Sequence, residues 1–239
     1  MKKFVKFLLL LGVVSFVFDY SSVIKKTFFT VTQNVDKAQK AYEAKETEKY
    51  GYEVLKHNNP SFTKKEKKCR KSFEKYSDLD FYGRCGTAYI NVCKKTMPKP
   101  GEKRGPIGMV KPSGWHTVKY DCVEGLYLYN RCHLAAFCLS GENSNEKNLI
   151  TGTRYFNADE ENGMLHFEMK VLDYMKKHPK NHVLYRVTPV FKGTELVARY
   201  VTMEAYSVED KGKLRFNVKV YNSQPGIVID YQTGKSHKK

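Results

Sequence analysis

Residues 129–168 read YNRCHLAAFCLSGENSNEKNLITGTRYFNADEENGMLHFE, and this stretch decides how the chain folds and which chemistry it can support. It follows a short apolar run and ends at the start of an amphipathic segment. Between these ends it carries a guanidinium, an imidazole, two amides and a carboxylate, in that order. The five side chains are those of Arg131, His133, Asn148, Asn157 and Glu168.

This set of groups is typical of phosphodiester hydrolysis with one hydrated metal ion. The reaction needs a deprotonated water, neutralised charge on the phosphate and a stabilised leaving oxygen. A histidine with a near-neutral pKa is a natural general base. Mg²⁺ meets the other two needs while keeping several waters, so one amide oxygen can suffice as its protein ligand. An arginine beside the base can clamp a phosphate oxygen in a planar geometry.

The composition indicates one compact core and a polyanionic partner. The chain has 239 residues and is 41% hydrophobic, enough for a full core and a small appendage. Lys and Arg number 42 against 25 Asp and Glu, a formal net charge of +17. An excess of this size favours nucleic acid or an anionic lipid surface, although solubility alone also explains it.

The N-terminus is typical of a targeting segment. Lys2, Lys3 and Lys6 precede an uncharged apolar run over residues 7–18. This run suits a secretory signal and is short for a membrane span. No clear small-residue cleavage site follows, so residues 1–22 are predicted to be a signal peptide or a membrane anchor. The body is therefore expected to be secreted, or held weakly on the outer face of the membrane.

All six cysteines follow that segment. An even number in an exported chain predicts disulfides, although the sequence does not choose among the pairings. For Cys132, which adjoins the histidine, a free and buried thiol is the alternative to a disulfide. The cysteines are Cys69, Cys85, Cys93, Cys122, Cys132 and Cys138.

The chain divides by composition into a tether and a compact domain. Residues 23–75 hold few large aliphatic side chains and many charged ones, which predicts a basic helical tether. Within it, residues 64–71 are strongly basic, as either a solvated linker or a non-specific phosphate contact. Residues 76–239 are predicted to form the compact domain.

The pattern in that domain predicts an α+β fold with a mainly antiparallel sheet. Residues 118–129 give a hairpin signal with a turn at Glu124-Gly125. Residues 165–177 have helical periodicity and end before His178-Pro179. Four strands are predicted after that helix, over residues 183–190, 195–206, 214–221 and 226–231.

The residues at the centre of the chain resemble a known family. Asn130-Arg131-Cys132-His133 is similar to the D-R-G-H motif of the ββα-metal DNA/RNA non-specific endonucleases. LYNRCHLAAF, KNLITGTRYFN, MLHFEMKV, VLYRVTPVF and PGIVIDYQTG follow in the order seen in the secreted and competence-associated (DNA-entry) nucleases of Gram-positive bacteria. The resemblance covers residues 76–235 and implies a ββα-metal motif on the antiparallel sheet, with flanking helices.

The resemblance also implies roles for the central residues. His133 falls on the family's general base. Asn157 falls on the one side-chain ligand of a catalytic Mg²⁺, with Mn²⁺ as an alternative ion. Arg131 matches the arginine that meets the phosphate.

Four further residues are implied with less specific matches. Asn148 falls on an amide that holds the histidine and the scissile region, and Glu168 on a carboxylate that positions water. Arg104 resembles a second phosphate-contacting arginine, and Arg154 is a candidate DNA contact. Both Asn148 and Asn157 can also be turn or helix caps, a role that Asn favours. For Asn148 the two roles are evenly balanced, whereas for Asn157 the ligand role is preferred.

Two positions depart from the motif. Asn130 replaces its Asp and Cys132 replaces its Gly. An Asp would favour the protonated imidazole, so its absence is expected to keep His133 neutral at higher proton concentration.

The function predicted from these observations is an exported, Mg²⁺-dependent endonuclease. It would cut DNA, with RNA as a further candidate substrate, with little sequence preference, and the family resemblance implies 5′-phosphorylated products. The alternative is a non-catalytic, anchored DNA-binding receptor for DNA uptake. A membrane-active cationic protein is a third interpretation.

Overall fold

The computed structural model describes residues 23–34 and 49–239, which belong to two units of the chain. In the unit of residues 1–46, the described part is one helix, α1 (residues 23–34), exposed along its whole length. The targeting segment predicted for residues 1–22 lies outside the described residues. Within the two described ranges, no helix has the length and apolar character needed to cross a membrane.

The unit of residues 47–239 holds ten strands and three helices among its described residues. The strands are β1 Tyr52–Val54, β2 Glu74–Tyr76, β3 Ala88–Val92, β4 Tyr129–His133, β5 Leu149–Thr153, β6 Val183–Val190, β7 Tyr200–Ser207, β8 Arg215–Tyr221, β9 Ile227–Ile229 and β10 Ser236–Lys238. The helices are α2 Phe137–Ser140, α3 Arg154–Ala158 and α4 Met164–Lys177. Short 3₁₀ turns cover Lys56–Asn58, Glu66–Lys68 and Glu146–Asn148.

A six-stranded antiparallel sheet forms the frame of this unit. Its strand order is β1-β8-β7-β6-β3-β2, and every neighbouring pair is antiparallel. Two smaller antiparallel pairs, β4 with β5 and β9 with β10, complete the strands. The predicted α+β class with a mainly antiparallel sheet is confirmed.

Helix α4 packs its apolar face on this sheet. Phe167, Val171 and Met175 recur at a spacing of four residues, are almost fully buried, and belong to the same core cluster as Tyr185 and Met203 of the sheet. Burying each such side chain contributes roughly 1.5–3 kcal/mol. The helix predicted over residues 165–177 is confirmed, with one more residue at its start.

The β4–β5 pair is set close against α3. Asn130 lies opposite Gly152 across the pair. A Cβ atom added at Gly152 would lie 2.8 Å from the Cβ of Cys132 and 2.9 Å from the ring of Phe156. The absence of a side chain at this position therefore lets β4, β5 and α3 meet, which is the geometry that a ββα motif requires.

The hairpin predicted over residues 118–129 is present as a short antiparallel pairing, but its predicted extent is wrong. The Tyr120 N–H donates to the Leu126 carbonyl at 2.9 Å, and the Leu128 N–H donates to the Val118 carbonyl at 3.1 Å. This segment makes a tight turn with a single bridge between Lys119 and Tyr127. The strand begins only at Tyr129, and its partner is β5, across an intervening segment of loop and short helices.

The predicted boundary near residue 76 is also wrong, because residues 49–75 belong to the compact unit. Strand β1 pairs with β8, and β2 pairs with β3. Phe62 is 4% exposed, packs in a cluster with Leu184 and Val208, and stacks on Tyr89 with ring centroids 5.7 Å apart. Part of the segment predicted as a tether therefore covers the sheet instead.

The predicted disulfides do not form. All six cysteines lie in the described part of the chain, and all six are free thiols. Cys85 donates to the carbonyls of Glu146 and Leu149, both at 3.2 Å, and Cys132 lies 3.4 Å from the sulfur of Met164. These buried thiols serve as packing groups, which they can do without a covalent partner.

The position of Phe62 predicts a measurable stability loss. Phe62→Ala should lower the free energy of unfolding by about 3 kcal/mol, because it empties a buried aromatic site. The exposed neighbour change Lys64→Ala should leave it nearly unchanged. Urea denaturation of both variants tests this, and equal stabilities would show that residues 49–75 do not form part of the core.

Candidate active site

The imidazole of His133 is fixed at the end of β4. The side chain is 6% exposed, and its Nε2 lies 2.8 Å from the carbonyl oxygen of Asn143. Because a carbonyl only accepts hydrogen bonds, Nε2 must carry the proton and donate it. In the neutral ring, Nδ1 then keeps the free lone pair. The contact thus sets which nitrogen can accept a proton.

The environment of His133 favours its neutral form. Burial lowers the pKa of His133 below its ordinary value. The guanidinium charge of Arg104 lowers this pKa further, while the hydrogen bonds to the backbone of Asn143 and Glu142 oppose the shift. The histidine is therefore unprotonated, and able to act as a base, at neutral pH.

Asn148 holds the backbone that follows His133. Its side-chain oxygen accepts from the Ala135 N–H at 2.8 Å, and its amide nitrogen donates to the Ala135 carbonyl at 2.9 Å. The residue is fully buried. These contacts agree with the interpretation in which Asn148 positions the backbone beside the histidine. Asn148 does not line either of the cavities described below.

Asn157 is carried by α3, whose start is fixed from two directions. Thr153 caps the helix by accepting from the Phe156 N–H at 3.1 Å. The side chains of Asn222 and Gln224 accept from the backbone N–H groups of Thr153 and Tyr155, both at 2.9 Å. Asn157 lies inside the helix, so it is not a cap residue. Among the described residues, no protein group hydrogen-bonds its side-chain amide.

Glu168 lies on the first turns of α4, turned away from bulk water. It is 9% exposed, and none of the residues that the structure describes hydrogen-bonds or ion-pairs with its carboxyl group. Burial raises the pKa of Glu168 to about 8. An uncompensated buried carboxyl of this kind suits a site that receives a cation.

One cavity collects most of the predicted site residues. It has a volume of about 320 Å³, and we call it the His133 cavity. It brings together an imidazole and an amide that lie 24 positions apart, together with a carboxyl and two guanidinium groups. The predicted residues that line it are Arg104, Arg131, His133, Asn157 and Glu168.

A second cavity adjoins the first. It has a volume of about 520 Å³, is lined by Trp115, and is called the Trp115 cavity here. It shares Arg104, Arg131 and Asn157 with the His133 cavity and adds Arg154. The two cavities form a continuous basic surface past the histidine, which is suited to a strand of linked phosphates.

Arg131 has a contact that the sequence did not predict. Its Nε donates to the Val110 carbonyl, and its Nη2 donates to the Gly108 carbonyl at 2.8 Å. Its guanidinium also stacks on Trp115, 4.1 Å from the ring centroid. Arg131 therefore fastens the loop that follows Arg104 to the side of the cavity, and only its remaining N–H groups can meet a phosphate.

The donor set of the His133 cavity fits a hydrated Mg²⁺. The amide oxygen of Asn157 is a hard oxygen ligand, the carboxylate form of Glu168 can accept hydrogen bonds from metal-bound water, and both lack protein partners within residues 49–239. Mg²⁺ keeps several waters and needs few protein ligands, whereas structural Zn²⁺ takes four. No cluster of three or more His, Cys, Asp or Glu side chains suited to a metal occurs in the described ranges. An ion held mainly by water matches this arrangement.

Sequence reasoning missed several residues that build the site. Asn143 supplies only a backbone carbonyl, for which any residue type serves, so the sequence carried no signal for it. Asn222 and Gln224 support α3 from the far end of the chain. Trp115 is partly buried against a second core cluster and also lines a cavity.

The contacts of Arg131 with the Val110 and Gly108 carbonyls and with the Trp115 ring, together called the Arg131 clasp, can be tested. Arg131→Lys should keep the positive charge but lose the paired donation and the stacking, since an ammonium lacks the planar fork. We expect trypsin to cut the adjoining loop, after Lys103 or Arg104, several times faster than in the native protein. Arg154→Lys, outside this clasp, should digest at the native rate. Equal digestion of all three proteins would contradict the clasp.

Comparison with known proteins places this geometry in context. Residues 65–209 match a protein family described as DNA/RNA non-specific endonuclease. A curated deoxyribonuclease from Streptococcus dysgalactiae subsp. equisimilis is 38% identical over 109 residues, which are 45% of this chain and 32% of that protein. The match spans about a third of the length of that relative.

Solved structures show the same fold. NucA from Streptococcus agalactiae with a magnesium ion bound aligns with a TM-score of 0.69 and 26% identity, over 79% of this chain and 87% of that one. The Sda1 nuclease with a bound zinc ion aligns with a TM-score of 0.64 and 34% identity, over 70% and 81% of the two chains.

Proposed function

Because the chain belongs to the DNA/RNA non-specific endonuclease family, we propose that it hydrolyses phosphodiester bonds within DNA, using His133 as general base and Asn157 as the protein ligand of one Mg²⁺. The observation that carries the proposal is the shared cavity of these two side chains. The Nε2 contact of His133 leaves Nδ1 as its proton-accepting nitrogen, and Asn157 carries an amide without a partner among the described residues.

The chemistry follows from the groups at the cavity. His133 Nδ1 accepts a proton from the attacking water, which forms the new P–O bond as the P–O3′ bond breaks. Arg104 and the free N–H groups of Arg131 donate to the non-bridging phosphate oxygens, whose charge grows during the attack. Asn157 would hold Mg²⁺, which when bound would neutralise negative charge on the phosphate. The O3′ leaves with the bonding electron pair and takes a proton from solvent water, so the products would carry a 5′-phosphate and a 3′-hydroxyl.

The arrangement supports low sequence preference. The predicted contacts are cationic groups that reach phosphates, and phosphate contacts position a nucleic acid without reading its bases. RNA is a second candidate substrate for the same reason. Mn²⁺ is the alternative ion, since it accepts the same oxygen ligands.

The proposed setting is outside the cell. The basic and then apolar N-terminal segment supports export, either as a released enzyme or one held at the membrane. Nucleic acid is the proposed partner in both cases.

The decisive experiment removes the base and keeps the binding surface. His133→Ala should lower the rate of plasmid cleavage in Mg²⁺ by at least about 10²-fold, the scale of a lost general base, while duplex binding in EDTA stays within about twofold. The matched control His237→Ala changes an exposed histidine and should cleave at the native rate.

Two results would contradict this proposal. Native protein that binds duplex but leaves plasmid uncut in Mg²⁺ or Mn²⁺ would favour the non-catalytic receptor instead. Full activity of His133→Ala would remove the histidine from the mechanism.

The pH dependence of cleavage gives a separate test. The base works only when neutral, so kcat/KM should rise with pH and level off above the pKa of His133. Because burial and Arg104 lower this pKa, the midpoint should lie below about 6.5, the ordinary histidine value. Arg104→Gln removes one lowering charge and should shift the midpoint upward. An unchanged or lower midpoint in that variant would contradict the electrostatic account.

A further inference from the structure

A third cavity lies in a different part of the fold and has no role in the reaction described above. Its volume is about 520 Å³, and three separate segments converge on it: residues 70–72, residues 93–95 after β3, and residues 179–182 between α4 and β6. We call it the basic cavity. Its basic lining residues are Arg70, Lys71, Lys94, Lys95, Lys180 and His182.

The charge of the basic cavity is almost uncompensated. No Asp or Glu lines it. The carboxylate of Glu209 lies 3.7 Å from Arg70 Nε and 2.8 Å from His182 Nδ1, and that of Asp210 accepts from the Tyr174 hydroxyl, to which the lining residue Asn181 donates. The four lysines are exposed and form no ion pair with any described residue. Lysines scattered over a surface mainly solvate it, whereas these four lysines come from three segments of the chain and line one cavity.

The walls of the basic cavity are held in place by the core. Asn91 is fully buried and donates to the carbonyls of Cys69 and Lys71, at 3.0 and 2.9 Å. His182 N–H donates to Glu209 at 2.7 Å on the opposite wall. The cationic side chains therefore project from fixed backbone, which reduces the ordering cost of binding an anion.

The basic cavity lies at the far end of α4 from the proposed catalytic groups. Glu168 is near the start of that helix, and His178 caps its end. Ten residues of helix separate them by about 15 Å along its axis. This distance equals about four to five base-pair steps of duplex, at roughly 3.4 Å per step within one strand.

The chemistry of the lining favours nucleic acid over a lipid surface. Membrane-surface binding combines cations with exposed large apolar side chains that enter the lipid. None of the exposed large hydrophobic residues within the described ranges lines the basic cavity. A concave group of lysines without apolar anchors instead suits a chain of phosphates.

We propose that the basic cavity is a second phosphate-binding site, which holds the backbone of the nucleic acid at a distance from the bond that is cut. The proposal rests on the proposed function for the identity of its ligand. It extends the substrate contact from the two cavities beside His133 to the opposite end of α4.

The test compares two variants of equal net charge. One removes three lysines of the basic cavity, and the other removes three exposed lysines elsewhere that form no ion pair with a described residue. The first is Lys94→Gln with Lys95→Gln and Lys180→Gln, and the control is Lys26→Gln with Lys56→Gln and Lys235→Gln.

Binding of each variant to a duplex of about 30 base pairs is measured in EDTA at several salt concentrations. Each lost phosphate contact reduces the slope of log K against log salt by about 0.9. The basic-cavity variant should lose about 2 to 3 from the native slope, and the control less than about 1. Equal slopes in the two variants would overturn the proposal. So would a basic-cavity variant that binds duplex normally but loses binding to vesicles of anionic phospholipid.

The same preparations separate this result from the proposed function. Cleavage is assayed afterwards by adding Mg²⁺, whereas the slopes are measured without it. Native protein that fails to cut, with a slope difference intact, would reject the nuclease mechanism and keep the phosphate site. Normal cutting by all three proteins, together with equal slopes, would reject the second phosphate site and keep the nuclease mechanism.

Discussion

The hydrogen bond between His133 Nε2 and the Asn143 carbonyl is the contact on which the proposed chemistry depends. A histidine without it could present either nitrogen to the cavity, or swing out of it. With it, one nitrogen is committed as donor and the other is left as acceptor. The bond needs a correctly placed carbonyl, so the loop between β4 and β5 becomes part of the proposed catalytic site even though none of its side chains would react.

Several buried contacts keep that loop in position. The Asn148 amide bonds Ala135 in both directions, just after the histidine. Further along, the Thr96 hydroxyl donates to the Leu139 carbonyl, which ties α2 to the end of β3. All these groups are buried, so breaking any one of them leaves polar atoms without water and costs about 1–3 kcal/mol. The position of the His133 ring therefore depends on the packing of the loop between β4 and β5.

The sequence predicted some elements and missed others for identifiable physical reasons. Residues 165–177 and 183–190 have the periodicity of structures that bury one face, and both formed as predicted. The hairpin over residues 118–129 formed only as a short pairing, because β4 begins at Tyr129 and pairs with β5, a partner too distant in the chain for local alternation to show. Phe62 was missed because one buried aromatic in a lysine-rich segment leaves little compositional signal. At the site, the resemblance named the side chains, but the clasp of Arg131 uses backbone carbonyls that no residue type encodes.

The electrostatics of the His133 cavity explain how a metal and an anion can share it. Without a cation, burial holds the pKa of Glu168 at about 8, so the carboxyl is mostly neutral at pH 7 and does not repel phosphate. A divalent cation beside it favours the ionised form, which opposes the effect of burial. Binding of the proposed Mg²⁺ would therefore be coupled to proton release, and its affinity would increase with pH. Arg104 and Arg131 keep the cavity positive throughout, so the carboxyl can change its charge without turning the phosphate away.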